Sequence, residues 1–344
     1  MKRFSIVFIL FALFIASMTY TACSGKKGNE VIDENLPDTI QDITRKINDD
    51  PDNASLYIAR SKLFLDIDSL RRALADVDKA LSLEPRNAGY HIMKADIQFE
   101  SGQVRNSIAS LQKARSGNPD NTAILEKLAE VNFLIGQYEK SHLYLDTLLN
   151  NHDTIAKGWL MRGFVYAHTG DTLNAVQSFE ECISRDPDEY SAYMQLGVIY
   201  THLKSPLALQ YYQTALDLRP GSAEVLYNMG WFHQLMEEYN KAIQLYNEVL
   251  NQPQGMGFKD NAYYNLGYLH MQLKEFARAR DYFGMAIQVN PKYVEAYYAK
   301  GFCHQRLGDL MNAKSYYEDA IRLRPNYPGA IKALNEVEKL INQP

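Results

Sequence analysis

The sequence is poor in cysteine and in basic charge. Its 344 residues include only three cysteines, Cys23, Cys182 and Cys303, which are not grouped as a disulfide framework or a zinc cluster requires. A formal net charge of −5 offers no basic face, so we expect no nucleic-acid partner. Glycine-rich phosphate loops, nucleophile elbows and His-Glu-x-x-His motifs are also missing from the sequence. We therefore predict no enzyme activity, no catalytic residues, no metal site and no small-molecule cofactor.

The N-terminal apolar run, Phe4–Ile15, is short. It has twelve residues, whereas a membrane-spanning helix needs about 20. Lys2 and Arg3 precede it, and a basic start before a short apolar run is typical of a secretory signal.

The predicted signal ends in Tyr20-Thr21-Ala22-Cys23, and small residues followed by cysteine resemble the lipobox of bacterial lipoproteins. That family prefers leucine at the place of Tyr20. The resemblance implies a lipoprotein signal peptide at residues 1–22 and a lipid anchor on Cys23. Residues 23–38 are polar and aperiodic, which predicts a flexible tether. Ser24 is not the aspartate that retains proteobacterial lipoproteins at the inner membrane, so we expect the outer membrane, periplasmic face.

Prolines punctuate the rest of the chain at a regular interval. Pro51, Pro85 and Pro119 are 34 residues apart, and Pro291 and Pro325 repeat the same spacing. A fixed period of this length is typical of a solenoid of helical repeats. The clearest copy carries its recurring small and aromatic residues at Trp159, Gly163, Tyr166, Gly170, Ala175, Phe179 and Pro187.

These residues stand where the tetratricopeptide repeat (TPR) has its own small and aromatic residues, and the resemblance extends over residues 39–340. It implies an all-α fold, a right-handed α-solenoid of about eight TPR helix-turn-helix repeats with capping helices. We expect an N-terminal capping helix at 39–53, the eight repeats at 54–327 and a C-terminal capping helix at 328–344. An insertion at residues 252–258 is expected to weaken the stack between the sixth and seventh copies.

The first helix of each repeat carries a stripe of residues besides those that face its own second helix. The stripe consists of the residue three positions before the recurring glycine, which is Gly230, Gly267 or Gly301 in three of the copies, and the residue just after it. The two positions are four apart and share a helix face. TPR solenoids line their concave wall with first helices, so an aromatic stripe predicts a groove for a protein or an extended peptide. The alternative is that the rings pack neighbouring first helices together. The candidate binding residues are Tyr227, Trp231, Tyr264, Tyr268, Tyr298 and Phe302.

Amide side chains accompany this stripe at Gln195, Asn228 and Asn265, two residues before the conserved glycine. Asparagine there resembles a ladder that grips the backbone of an extended peptide in some TPR proteins. An amide donates and accepts at once, so it pairs with any peptide unit. The alternative is that these are solvated surface amides.

Three histidines, His233, His270 and His304, replace the TPR tyrosine in successive copies. Packed helices lie about 8–10 Å apart, whereas zinc ligands all lie about 2 Å from one ion. We therefore interpret these histidines as packing residues.

The sequence thus predicts a membrane-anchored periplasmic adaptor that binds a protein or extended peptide in a concave TPR groove. Such an adaptor would serve envelope assembly or the recruitment of envelope enzymes. The alternative is a glycan- or nutrient-binding lipoprotein built on a TPR scaffold. That class usually carries long insertions and exposed tryptophan platforms, whereas this chain has two tryptophans and one short insertion.

Overall fold

Helix follows helix along the chain. The computed structural model describes residues 30–253 and 257–343, so the predicted signal peptide, Cys23 and residues 24–29 lie outside the described residues. Of the helices within these ranges, none is long and apolar enough to cross a membrane. The α-helices of the described ranges are α1 (Asp38–Asp49), α2 (Ala54–Asp66), α3 (Leu70–Leu83), α4 (Ala88–Glu100), α5 (Val104–Gly117), α6 (Thr122–Leu134), α7 (Tyr138–Asn151), α8 (Ala156–Thr169), α9 (Thr172–Arg185), α10 (Tyr190–His202), α11 (Leu207–Leu218), α12 (Ala223–Leu235), α13 (Tyr239–Asn251), α14 (Lys259–Gln272), α15 (Phe276–Val289), α16 (Val294–Arg306), α17 (Leu310–Leu323) and α18 (Pro328–Ile341).

Short polar signals set where the early helices begin. Asn53, Asn87 and Asn121 stand 34 residues apart. Each side chain accepts a hydrogen bond from a backbone N–H in the first turn of α2, α4 or α6. A capping asparagine satisfies an N–H group that the helix itself leaves without a partner. The 34-residue period of the sequence is thus also a period of helix starts.

The turn after each first helix needs a residue in the left-handed region. Glycine serves in four copies, where a positive φ carries no steric cost. In four other copies a residue with a side chain takes the same conformation, which is strained for L-residues. The glycines are Gly102, Gly136, Gly170 and Gly308, and the other residues are Asp68, Lys204, Glu237 and Lys274.

Two compact units follow one another along the chain, one ending at Ser110 and the other starting at Leu111. In the first unit, α1 to α4 pack against one another in sequence order. In the second, α6 to α18 do the same. Each helix therefore contacts mainly its neighbours in sequence, as a repeat fold requires.

The insertion at residues 252–258 does not interrupt the apolar core. One buried cluster joins Leu226 of α12, Tyr246 of α13 and Leu266 of α14, and Phe258 packs against it. The weaker joint predicted at this insertion stays a prediction; the chain divides into its two compact units within α5, between Ser110 and Leu111.

Close approach of the two helices of a repeat depends on the conserved glycine. A Cβ at Gly197 would lie 2.3 Å from Cε1 of Tyr212, whose ring fills the space above the glycine. Gly163 has the same relationship with Phe179, where the distance would be 2.5 Å. The ring and the glycine therefore form one packing unit in each of the five repeats from α8 to α17.

The type of buried ring on the second helix goes together with the type of one residue on the first helix of the same repeat. Where the ring is tyrosine, its hydroxyl is hydrogen-bonded to a polar side chain, because a buried hydroxyl without a partner is costly. The pairs are Tyr212 with Thr201 at 3.1 Å, Tyr246 with Gln234 at 3.0 Å and Tyr317 with Gln305 at 2.7 Å. Where the ring is Phe179 or Phe283, the residue twelve positions earlier is Ala167 or Met271.

Candidate protein-binding surface

The first helices of neighbouring repeats touch one another in the second unit. Helix α6 contacts α8, α10 contacts α12, and α14 contacts α16. Aromatic rings cross two of these contacts. Phe133 of α6 lies edge-on to His168 of α8 at 4.9 Å, and His202 of α10 lies edge-on to Trp231 of α12 at 5.1 Å. The residue just after the conserved glycine, such as Trp231, therefore lies where first helices meet.

Three tyrosines of the predicted stripe are used inside the stack, and we call them the stacking tyrosines: Tyr227, Tyr264 and Tyr298. Each contacts the buried ring of its own second helix, at centroid distances of 5.5, 5.4 and 5.7 Å. Each also contacts the aromatic residue that precedes the next first helix. The partners in that second contact are Phe258 at 5.5 Å, Tyr293 at 4.9 Å and Tyr327 at 5.4 Å.

Each stacking tyrosine also packs against a buried cluster that includes residues of the next first helix or of α18, and so links its repeat to the helix that follows. For these tyrosines the structure shows the packing role that the sequence leaves open as the alternative. Burial raises the pKa of Tyr264 to about 12, in keeping with a hydroxyl held in an apolar neighbourhood.

The other half of the stripe makes fewer contacts with neighbouring rings, and we call it the aromatic row: Trp231, Tyr268 and Phe302. All three side chains are half-buried. Trp231 packs edge-on against the exposed His202. Phe302 lies 6.4 Å from Phe276, and the Arg306 guanidinium lies over the Phe302 ring at 5.8 Å. Tyr268 packs against the buried cluster of α12, α13 and α14. Each ring is thus partly covered by the protein, and its remaining exposed surface is available for contact.

The three predicted ladder amides differ in what they bond. Nδ2 of Asn265 donates to the hydroxyl of Tyr227 at 3.0 Å, which joins α14 to α12. Nδ2 of Asn228 donates to the backbone carbonyl of Glu224 at 2.9 Å, one turn earlier in its own helix. Gln195 is half-buried on α10. Asn265 therefore contributes to the stack, while the oxygen of Asn228 can still accept from a peptide N–H.

Sequence reasoning missed a second aromatic cluster on this surface. Phe133 lies 5.8 Å from Tyr138, which opens α7, and 6.4 Å from Phe164 on α8. Tyr138 in turn lies 6.0 Å from His168. The four residues come from three helices of two repeats, and comparing equivalent positions across repeats would have been needed to find them.

Each of the three periodic histidines pairs with a carboxylate of its own repeat. The Nδ1 atoms of His233, His270 and His304 lie 2.5, 2.7 and 3.0 Å from Glu238, Glu275 and Asp309. The rings of His270 and His304 also stack on a tyrosine of the second helix, at 5.1 and 5.2 Å. Within the described ranges, no group of three potential metal ligands is found.

These pairs change the acidity of the carboxylates. The hydrogen bond from His233 holds the pKa of Glu238 below its usual value of 4.5, and that from His270 does the same for Glu275. For Asp309 the larger cause of the lowered pKa is Asn312, with His304 adding to it. The histidines thus act within the repeat, between the end of its first helix and the start of its second.

Both described cysteines are buried and free. Burial raises the pKa of Cys182 to about 12 and that of Cys303 to about 12. A thiol with so high a pKa carries almost no thiolate at neutral pH and is a poor nucleophile. These two residues therefore serve as small apolar side chains.

Comparison with known families identifies the repeat. Models of the tetratricopeptide repeat match residues 156–189, 211–244, 261–293 and 294–327. Among curated proteins, the general transcriptional corepressor ssn6 of Schizosaccharomyces pombe is 26% identical over 93 residues. That match covers 27% of this chain and only 8% of the corepressor.

Two solved structures share the fold. The C-terminal part of a TPR repeat-containing protein from Cytophaga hutchinsonii has a TM-score of 0.57 and 20% identity, covering 70% of this chain and 98% of that one. The Cut9–Hcn1 hetero-tetramer of the APC/C has a TM-score of 0.52 and 15% identity, covering 88% of this chain and 60% of the matched chain. At these identities the likeness concerns the fold alone. With four matches to the repeat itself, the chain is a tetratricopeptide repeat protein with an all-α solenoid fold.

Proposed function

We propose that this chain is an adaptor that binds a protein or an extended peptide on the first-helix surface of its second unit. TPR proteins are typically binding scaffolds and not enzymes, and the adaptor is proposed to catalyse nothing. The observation that carries the proposal is the aromatic row. Trp231, Tyr268 and Phe302 recur in three successive repeats, half-buried, on the surface that holds the first helices together.

The aromatic row supplies the binding energy in this proposal. Aromatic residues held by a rigid support lose little conformational freedom on binding, and a central one contributes about 2 kcal/mol or more. Asn228 and Gln195 orient a peptide backbone, and a buried amide contact is worth about 1–3 kcal/mol. The stacking tyrosines and Asn265 support the surface from within the stack.

The chain allows a direct optical test, because it has only two tryptophans. The indole N–H of Trp159 donates to the backbone carbonyl of Asp153 at 2.7 Å, away from the aromatic row. The Trp159→Phe variant leaves Trp231 as the single tryptophan, whose emission can be excited selectively over that of the tyrosines. A partner that binds the aromatic row should shift or quench this emission in a saturable titration.

Partner capture should be made site by site. A photo-reactive residue placed at Tyr268 should crosslink to the partner in intact cells. The same residue at Leu173 of α9, a second-helix side chain that is 80% exposed, is the matched control. Trp231→Ala should lower affinity about 30-fold, the equivalent of about 2 kcal/mol. Equal crosslinking at both positions, or unchanged affinity in the folded variant, would show that the aromatic row is not the binding surface.

We further propose that Cys23 carries a lipid that anchors the adaptor to the outer membrane at its periplasmic face. The proposal is supported by the basic start, the short apolar run and the small residues before Cys23. Two or more acyl chains bind a bilayer stably, because each buried methylene contributes about 0.8 kcal/mol. Cys23→Ala should release the protein from membranes or block its processing. A membrane-bound form of unchanged mass would contradict lipidation.

A further inference from the structure

Residues 30–36 lie against the helices of the first unit without forming a helix themselves. Their backbone is held by an amide side chain of α1. Oδ1 of Asn48 accepts from the backbone N–H of Glu30 at 2.7 Å, and Nδ2 of Asn48 donates to the carbonyl of Glu30 at 3.0 Å. One side-chain amide thus satisfies both backbone polar groups of a single residue, Glu30, as a neighbouring strand would.

A second amide of α1 holds the other end of the segment. Nε2 of Gln41 donates to the backbone carbonyl of Leu36 at 2.9 Å and lies 3.4 Å from that of Glu34. Gln41 and Asn48 are seven residues apart, which places them on one face of the helix. Helix α1 therefore contacts the segment through its backbone at two points, independently of its side chains.

Two arginines form ion pairs with the acidic side chains of the segment. The Arg60 guanidinium forms two hydrogen bonds with Asp76, at 2.6 and 2.8 Å, and also pairs with Glu30. The Arg60 side chain is 8% exposed, so this is a nearly buried ion cluster. Arg72, which is on the surface, lies 3.4 Å from Asp33. The two arginines thus meet carboxylates three residues apart in the segment.

An apolar contact completes the arrangement. Leu36 packs against a buried cluster that contains Ile40, Phe64 and Val77. A cavity of about 290 Å³ remains between the segment and the helices, with Arg60, Arg72 and Val31 among its lining residues. The helices therefore offer backbone-binding amides, two cationic positions and an apolar surface for Leu36, which are the parts of a peptide-binding site.

We propose that α1 to α3 form a binding site for an extended acidic peptide, and that residues 30–36 occupy this site as an intramolecular ligand. The site recognises two carboxylates at positions i and i+3 and an apolar residue three positions further on, as Glu30, Asp33 and Leu36 show. An acidic segment of a partner protein gains access only by displacing residues 30–36. The site lies in the first unit and is independent of the aromatic row in the second.

Because residues 30–36 are tethered to the site, we expect the native chain to resist exchange with a free peptide. A ligand on the same chain acts at an effective concentration on the order of millimolar, so a free peptide competes poorly. Weakening the intramolecular ligand should therefore strengthen binding of the free one. Charge-assisted hydrogen bonds are the strongest contacts in the arrangement, so the two carboxylates are the residues to change.

The test uses the full chain and a fluorescein-labelled peptide with the sequence of residues 29–37. Fluorescence anisotropy should show at least about tenfold tighter binding to the Glu30→Gln, Asp33→Asn variant than to the unaltered chain. Adding Arg72→Gln to that variant should reverse the gain. Arg71→Gln, at the neighbouring exposed arginine, is the matched control and should leave binding unchanged.

Two results would overturn the proposal. One is a folded Glu30→Gln, Asp33→Asn variant that binds no peptide up to about 1 mM, in which case residues 30–36 only stabilise the unit. The other is equal binding of a peptide in which glutamine and asparagine replace its two acids, which would remove the recognition of charge. Both outcomes leave the aromatic-row experiments unaffected, so failure of one site is distinguishable from failure of the other.

Discussion

The side-chain amide of Asn265 donates a hydrogen bond to the hydroxyl of Tyr227, 3.0 Å away, and so joins the first helices of two successive repeats. Burial raises the pKa of Tyr227, and this hydrogen bond opposes the rise. An asparagine that was predicted to bind a peptide is therefore also a connection within the stack.

Asn265→Ala should lower the stability of the second unit by about 0.5–1.5 kcal/mol, because it leaves the half-buried Tyr227 hydroxyl without this donor. Asn228→Ala is the control. Its amide bonds only to a carbonyl one turn earlier in its own helix, so thermal unfolding should change little. Equal losses in the two variants would mean that the contact between α12 and α14 contributes nothing.

Gly197→Ala should destabilise the fold by about 1–3 kcal/mol, because its Cβ would lie 2.3 Å from the Tyr212 ring. Gly117→Ala, at the end of α5, has open space around it and should be neutral or slightly stabilising. Circular dichroism during heating measures both. An unaffected Gly197→Ala variant would show that the two helices of the repeat can separate without cost.

Lys274→Gly should stabilise the protein by about 0.5–1 kcal/mol, because the lysine has a φ of +62° in the turn after α14. Gly308 has a φ of +82° in the equivalent turn after α16, and Gly308→Ala should be destabilising by a similar amount. Opposite shifts in melting temperature are expected. A loss of stability in Lys274→Gly would show that the lysine side chain stabilises the fold by more than the relief of backbone strain does.

Tyr317→Phe should cost about 0.5–1.5 kcal/mol, because Gln305 loses the hydroxyl that donates to it at 2.7 Å. Adding Gln305→Met should recover much of that loss, since the chain itself combines Phe283 with Met271 in the preceding copy. A double-mutant cycle in denaturant measures the coupling. Additive effects would mean that the two positions are chosen independently.

Glu275→Gln should lower the free energy of unfolding at neutral pH but not at acid pH. The pKa of Glu275 is below its usual 4.5, chiefly through the hydrogen bond from His270. The folded state therefore favours the carboxylate, and this stabilisation is complete above about pH 4.5 and is lost as the pH falls through the lowered pKa. Melting curves of the variant and its parent should converge below that range. His270→Phe keeps a ring beside Tyr282 and should produce the same convergence.

Much of the fold is predictable from local pattern. Prolines at a 34-residue spacing, capping asparagines and a glycine opposite a ring repeat because every copy solves the same packing problem. The aromatic row could be found in the same way. Its separation from the stacking tyrosines could not, because Tyr264 and Tyr268 share a helix face and differ in the side chains that the folded chain places beside them.

The contacts of residues 30–36 were beyond sequence reasoning for a different reason. Glu30 lies outside the repeats and is thirty residues away from Arg60 in the chain. A polar, aperiodic composition predicted a tether through residue 38, yet residues 30–36 are held against α1 to α3. Composition indicates only whether a segment tends to be ordered on average. Residues 30–36 are held in place by specific contacts with the amides of Gln41 and Asn48 and with Arg60 and Arg72.

The buried ring and its hydrogen-bond partner affect how a chain of repeats can evolve by duplication and recombination. Tyr317, Gln305 and Gly301 all belong to one repeat, so a duplicated copy carries its own complete core with it. Tyr298 is different, because it also packs against a cluster that includes Ala333 and Val337 of α18, which lies beyond its own repeat. Recombination between copies is therefore tolerated inside a repeat and constrained at its borders, where the following helix must present apolar residues that fit the stacking tyrosine before it.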